Sequence, residues 1–200
     1  MIKKSKSYTI GIDEVGRGPI AGPVAVCSLC LGPKFKKSNF QNFRDSKKLS
    51  HLQRLNWLEK INIEKEKGNI FYKVCLESNE VIDQRGLTFA IKRALSNSLN
   101  SLKIKPKNCE VLLDGGLRAP IEYINQKTII KGDEKELAIA LASIVAKVTR
   151  DALMVKLAKK YPGYGLEKHK GYGTSAHYKA LKNKGLSPIH RKSFLKKLDF

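Results

Sequence analysis

The chain has 200 residues, with 39 Lys and Arg against 18 Asp and Glu and a formal net charge of +21 at pH 7. No apolar run approaches the roughly 20 residues of a membrane span, and the basic start MIKKSKSYTIGID leads into a strand pattern, not an apolar signal segment. A chain this long buries roughly 70% of its unfolded surface without disulfides, so the expectation is one soluble, cytoplasmic domain whose charge draws it to a polyanion such as nucleic acid.

In chain order, residues 8 to 13 and 21 to 31 are apolar and β-branched, and read as two strands joined by a Gly-rich connection. Cys27 and Cys30 form a CxxC within the second of them. Residues three apart on a strand point to opposite faces, so they are expected as separate core thiols and not as a metal or redox pair. IFYKVCLE (70 to 77) alternates as a third strand, and SNEVIDQRGLTFAIKRALSNSL is helical, capped by Ser78 or Asn79. CEVLLDGG is a short buried strand running into a turn at Asp114, Gly115 and Gly116, and QKTIIKGDEKE a fifth strand ending at Gly132 and Asp133. A long helix follows from about Glu134 to Lys160, with Leu137, Leu141, Ile144, Val145, Val148 and Ala152 on one stripe, and Tyr161-Pro162-Gly163 stops it. A short helix is expected from about Thr174 to Asn183. The order implies an α/β fold, a mixed five-stranded sheet flanked by helices, with a core over about 1–160 and a C-terminal helical appendage over about 161–200. Residues 147 to 200 hold fourteen Lys and Arg against three acids, so the appendage side carries half of the net charge.

Asp13, Asp114 and Asp133 each stand at the end of an expected strand with a glycine close by in the chain. Singly, each reads as a turn residue. Three together, in a chain poor in acids, would repel one another and raise their pKa values unless a hard cation with oxygen ligands, Mg²⁺ or Mn²⁺, neutralised them. Glu14 follows Asp13 directly, so both serve one site only if the strand ends or twists there, which Gly16 and Gly18 permit. A carboxylate cluster within a polyanion-binding surface points to metal-assisted phosphodiester hydrolysis.

The residues GIDEVGRGPIAGPVAV closely resemble the opening motif of the ribonuclease HII family, and the likeness continues in DSKKL (45 to 49), LLDG, KGD, ASIVAKVTRD, YPGYGLEKHKGYGT and HRKSF, in the family's order from residue 10 to 194. The resemblance implies a ribonuclease H-like fold. It also implies cleavage of RNA in RNA–DNA hybrids and incision of duplex DNA 5′ to a single embedded ribonucleotide, leaving a 3′-hydroxyl and a 5′-phosphate. It assigns catalysis and the metal, Mn²⁺ or Mg²⁺, to Asp13, Glu14, Asp114 and Asp133. It gives the contact with the ribose 2′-hydroxyl to Gly16, Arg17 and Gly18, the packing against the following deoxyribose to Tyr172, and phosphate contacts to Ser46, Lys47, Lys147 and Arg150. The related ribonuclease HIII has a long extra N-terminal domain; here the first catalytic strand begins within ten residues of Met1, which favours the HII type. Val15 stands where many relatives have a smaller residue.

His169 is a candidate substrate contact, although a lone His is more often structural, and His177 and His190 are read as structural. The tail SFLKKLDF bears a faint likeness to peptides that dock on sliding clamps, without the glutamine that such peptides carry. A monomer is expected. Two other readings stay open. A basic binding module without catalysis explains the charge and leaves the acids unexplained, and a nuclease of the same superfold that cuts DNA junctions would be indifferent to the 2′-hydroxyl.

Overall fold

A computed structural model describes residues 8–41 and 49–196. The strands are β1 (Tyr8–Val15), β2 (Val24–Leu31), β3 (Ile70–Glu77), β4 (Cys109–Asp114) and β5 (Gln126–Ile129). They form a mixed sheet of order β3-β2-β1-β4-β5, in which β1 runs antiparallel to β2 and parallel to β4. Helices α1 (His51–Glu66), α2 (Asn79–Arg85), α3 (Leu87–Ser101), α4 (Gly132–Lys135), α5 (Leu137–Lys160), α6 (Leu166–His169) and α7 (Ser175–Lys184) cover it.

Strand alternation sorts the core into two layers. Ile10, Ile12, Val24, Val26, Val111 and Leu113 meet Ile91, Ala94, Leu95 and Leu99 of α3 on one face. Cys27, Leu29 and Leu31 meet Leu141, Ala142 and Val145 of α5 on the other. Cys27 and Cys30 accordingly lie in different layers, and both are free thiols. Gly11 faces α5, where its lack of a side chain lets the strand lie directly on the backbone of Ala138 and Ile139.

A third core joins Ile20 and Ala21, from the loop between β1 and β2, to Met154 of α5 and to Tyr164, Leu166, Leu181, Ile189 and Leu195. The C-terminal segment therefore packs on the end of α5 and on that first loop. Backbone bonds stitch the same parts together: Gly22 N–H donates to Ile189 C=O at 2.8 Å, and Arg191 N–H to Ile20 C=O at 2.8 Å.

Several boundaries differ from the expectation. β1 continues through Glu14 to Val15 because both still pair with β2. β5 stops at Ile129; Lys131 takes a left-handed conformation (φ 55°), so Asp133 lies in the first turn of α4 and not at a strand end. Glu136 is extended, which separates α4 from α5. The helical run after Ser78 divides at Gly86 (φ 85°), with the Ser78 hydroxyl capping α2. Helix α1, which lacks a marked apolar stripe, begins in a capping box between Ser50 and Gln53. Among the described residues no helix is long and apolar enough to cross a membrane. Ser46, Lys47 and the last four residues of the tail lie outside the described residues.

Behind Tyr172 runs a chain of histidines whose partners fix their tautomers. His190 Nδ1 accepts from the Ser187 N–H (3.0 Å), so His190 Nε2 donates to His177 Nε2 (3.0 Å), and His177 Nδ1 donates to the Tyr172 carbonyl (2.9 Å). His169 stacks on His177 with ring centroids 4.2 Å apart. Every link requires a neutral ring, and burial, with the two neighbouring histidines, lowers His177 to about 4. As pH falls below the ordinary 6.5, the unfolded chain therefore gains a proton that the native fold refuses, and stability is lost until about pH 4. Urea unfolding of wild type and His177→Asn isolates this term: the wild-type advantage at pH 7 is expected to shrink by about 3 kcal/mol at pH 4. A constant advantage across that range would mean that His177 titrates normally.

Candidate active site

The parallel register of β1 and β4 pairs Ile12 with Leu113. One step further along both strands stand Asp13 and Asp114, on the face turned to α5. Glu14 leaves β1 on the opposite side but reaches the same space, because β4 has already ended at Asp114. A cavity of about 490 Å³ opens there, lined by Asp13, Glu14, Asp114, the Gly16-Arg17-Gly18 turn, Lys147 and Tyr172, together with Arg54, Ser143 and their neighbours.

The electrostatics of this pocket are unbalanced. Burial raises Asp13 from 3.8 to about 8, and the negative charges of Glu14 and Asp114 add to it, against the opposing hydrogen bond from Ser143. Glu14 is also raised by burial, although Arg17 Nη1 donates to its Oε1 at 2.9 Å. Its second oxygen, Oε2, is buried with no hydrogen-bond partner among the described residues. Asp114 Oδ1 accepts from Gly132 N–H at 2.7 Å. That bond ties the start of α4 to Asp114; Asp133, the next residue after Gly132, is 1% exposed and does not line the pocket.

The turn after β1 needs its first glycine. Gly16 has φ 96°, and a Cβ there would run into the Arg150 side chain. A Cβ on Gly18 would lie 3.7 Å from the Tyr172 ring, so turn and ring form the two walls of a narrow slot. Lys147 lines the pocket, and its ammonium is held by Asp151 at 2.9 Å one helical turn away.

Arg150 departs from the expected phosphate contact. It is fully buried, and its guanidinium donates to the carbonyls of Pro23 (2.9 Å), Lys170 (3.0 Å) and Ala21 (3.3 Å). The C-terminal segment covers this part of α5, so Arg150 acts as a brace between the first loop and the appendage while Lys147 remains at the surface. Ser143 and Arg54 were not indicated by the sequence: Ser143 reads there as one small residue in an apolar run, and Arg54 belongs to the helix without a stripe.

A mixed five-stranded sheet with carboxylates at the ends of adjacent parallel strands and helices on both faces defines the ribonuclease H-like class. The family model for ribonuclease HII matches residues 10–197. Ribonuclease HII of Clostridium beijerinckii is 48% identical over 97% of this chain and 70% of its own length. The crystal structure of ribonuclease H2 from Pyrococcus horikoshii OT3 aligns with a TM-score of 0.73 at 26% identity, covering 95% of this chain and 96% of the other. Bst-RNase HIII in complex with Mn²⁺ shares the fold at 14% identity and a TM-score of 0.63, over 96% of this chain and 66% of the other. The chain belongs to the ribonuclease HII family, endonucleases that act on the RNA strand of RNA–DNA hybrids.

Proposed function

We propose that this pocket also incises duplex DNA on the 5′ side of a single embedded ribonucleotide, a repair step, with the help of Mn²⁺ or Mg²⁺. The observation that carries the metal reading is the crowding of buried carboxyls: a Glu14 oxygen without a partner among the described residues, beside an Asp13 raised to about 8. Oxygen-only donors suit a hard divalent cation, and Asp13, Glu14 and Asp114 would hold it, with Asp133 behind them. Among the described residues no three His, Cys, Asp or Glu side chains converge as a preformed cage. That suits an ion whose coordination is completed by water and substrate phosphate. When bound, such an ion neutralises the carboxylates and acidifies a bound water.

The protein's own groups supply the rest. Ser143 fixes the Asp13 carboxylate, and Arg17 fixes that of Glu14. Lys147 presents a positive charge to the phosphate, and the glycine turn brings main chain close to the sugar, where no Cβ intervenes. Opposite it, the flat Tyr172 ring suits a deoxyribose and crowds a sugar bearing a 2′-hydroxyl, which favours a ribonucleotide followed by a deoxyribonucleotide. Attack of water on phosphorus with loss of the 3′-oxygen leaves a 3′-hydroxyl and a 5′-phosphate.

The test is a labelled duplex with one ribonucleotide, incubated with Mn²⁺ or Mg²⁺ and mapped for the cut. Cleavage 5′ to the ribonucleotide, abolished by chelation and reduced about tenfold or more in Tyr172→Ala, is the expected result. Binding without a cut would favour a module without catalysis, and cutting indifferent to the 2′-hydroxyl would favour a junction nuclease.

A further inference from the structure

Arg191 is fully buried, yet its guanidinium hydrogen-bonds no carboxylate among the described residues. Its donors go to three carbonyls of the first loop: Nη2 to Gly16 at 2.7 Å, Nη1 to Arg17 at 3.1 Å and Nε to Gly22 at 2.9 Å. Burying a charge in this way is costly unless its hydrogen bonds are satisfied, and the residues it grips include two that line the catalytic pocket.

Peptide geometry gives the grip a direction. In a trans peptide the C=O of one residue and the N–H of the next point oppositely. With the Gly16 and Arg17 carbonyls turned inward to Arg191, the N–H groups of Arg17 and Gly18 turn outward. These two consecutive donors have no partner among the described residues, and they stand next to Asp13 and Glu14 in the pocket lining. Successive outward N–H groups make a concavity that binds an oxygen. Arg150 supports the same loop through Ala21 and Pro23, and its side chain fills the space that a Cβ on Gly16 would need.

We propose that Arg191 is a positioning residue for ribose discrimination: it aims the Arg17 and Gly18 N–H groups at the 2′-oxygen of the scissile ribonucleotide without touching the substrate. The inference rests on the reading of this turn as the sensor of that oxygen. Lysine keeps the charge but cannot reach three carbonyls with a planar fork, and glutamine keeps one donor group and loses the charge.

The experiment uses the full chain as wild type, Arg191→Lys and Arg191→Gln, at a temperature where circular dichroism shows each variant folded. Two quantities are measured with Mn²⁺: kcat/KM on a duplex with one ribonucleotide, and the inhibition constant of the same duplex in all-DNA form. Both variants are expected to lose at least tenfold in kcat/KM, while the all-DNA inhibition constant stays within threefold of wild type, because surface cations hold the backbone. Unchanged kcat/KM, or parallel loss of both quantities, would overturn the role of Arg191. A wild type that cuts the all-DNA duplex as readily would instead overturn the reading of the turn. If neither variant folds, amide NMR of the wild type decides: the Arg17 and Gly18 signals should shift more with the ribonucleotide duplex than with the all-DNA one, and equal shifts would sink the proposal.

Discussion

Asp13→Asn is expected to bind a hybrid duplex, to cut it about 1,000-fold more slowly or worse, and to be more stable than the wild type. Both effects come from one charge. In the metal-free fold, Asp13 is held near pKa 8 by burial and by Glu14 and Asp114. Between its ordinary 3.8 and that value the unfolded chain is ionised and the native fold is not, so the native state carries a cost that grows as pH rises through this range. Asparagine has nothing to ionise and keeps a similar shape. At pH 7 the metal-free variant should therefore gain roughly 2–4 kcal/mol, and the gain should vanish near pH 4. Urea unfolding in EDTA at the two pH values, beside single-turnover cleavage with Mn²⁺, checks both halves. A stability difference independent of pH would refute the charge argument, and cleavage within tenfold of wild type would remove Asp13 from the chemistry.

Gly11→Ala is expected to cost about 4 kcal/mol or more, enough to leave little folded protein at 37 °C. A methyl group on Gly11 would overlap the carbonyl of Ala138 and the nitrogen of Ile139. These are backbone atoms at the start of α5, so no rotamer change relieves the clash; the helix must lift from the sheet and take the Asp13–Ser143 contact with it. Gly18→Ala is the control, since its Cβ would make only an ordinary contact with Tyr172 at 3.7 Å. Urea midpoints of the two variants test the contrast. If Gly11→Ala unfolds within about 1 kcal/mol of wild type, the close approach of β1 and α5 is not as tight as described.

What the sequence disclosed follows from which signals are local. Asp13 and Asp114 end apolar runs with glycines close by, and the parallel register sets them side by side. The two-residue period of a strand also sufficed to part Cys27 from Cys30. Helix α1 left no such mark, because Ile61 and Glu64 are its buried residues and neither repeats. Lys147 and Arg150 share a helix and a charge, and spacing cannot tell which of them the appendage covers. Arg191 was invisible for a related reason: its three carbonyl partners lie 169 to 175 positions earlier in the chain. Buried cations that serve distant main chain carry no signature in composition or periodicity.

The tie between the first loop and Arg191 also sets an order of events during synthesis. A ribosome makes the carboxylate-bearing strands β1 and β4 well before Arg191, the residue that grips the glycine turn. On the proposed role of Arg191, a premature stop shortly before codon 191 would yield a protein that keeps the acids and loses the side chain that orients the glycine turn beside them.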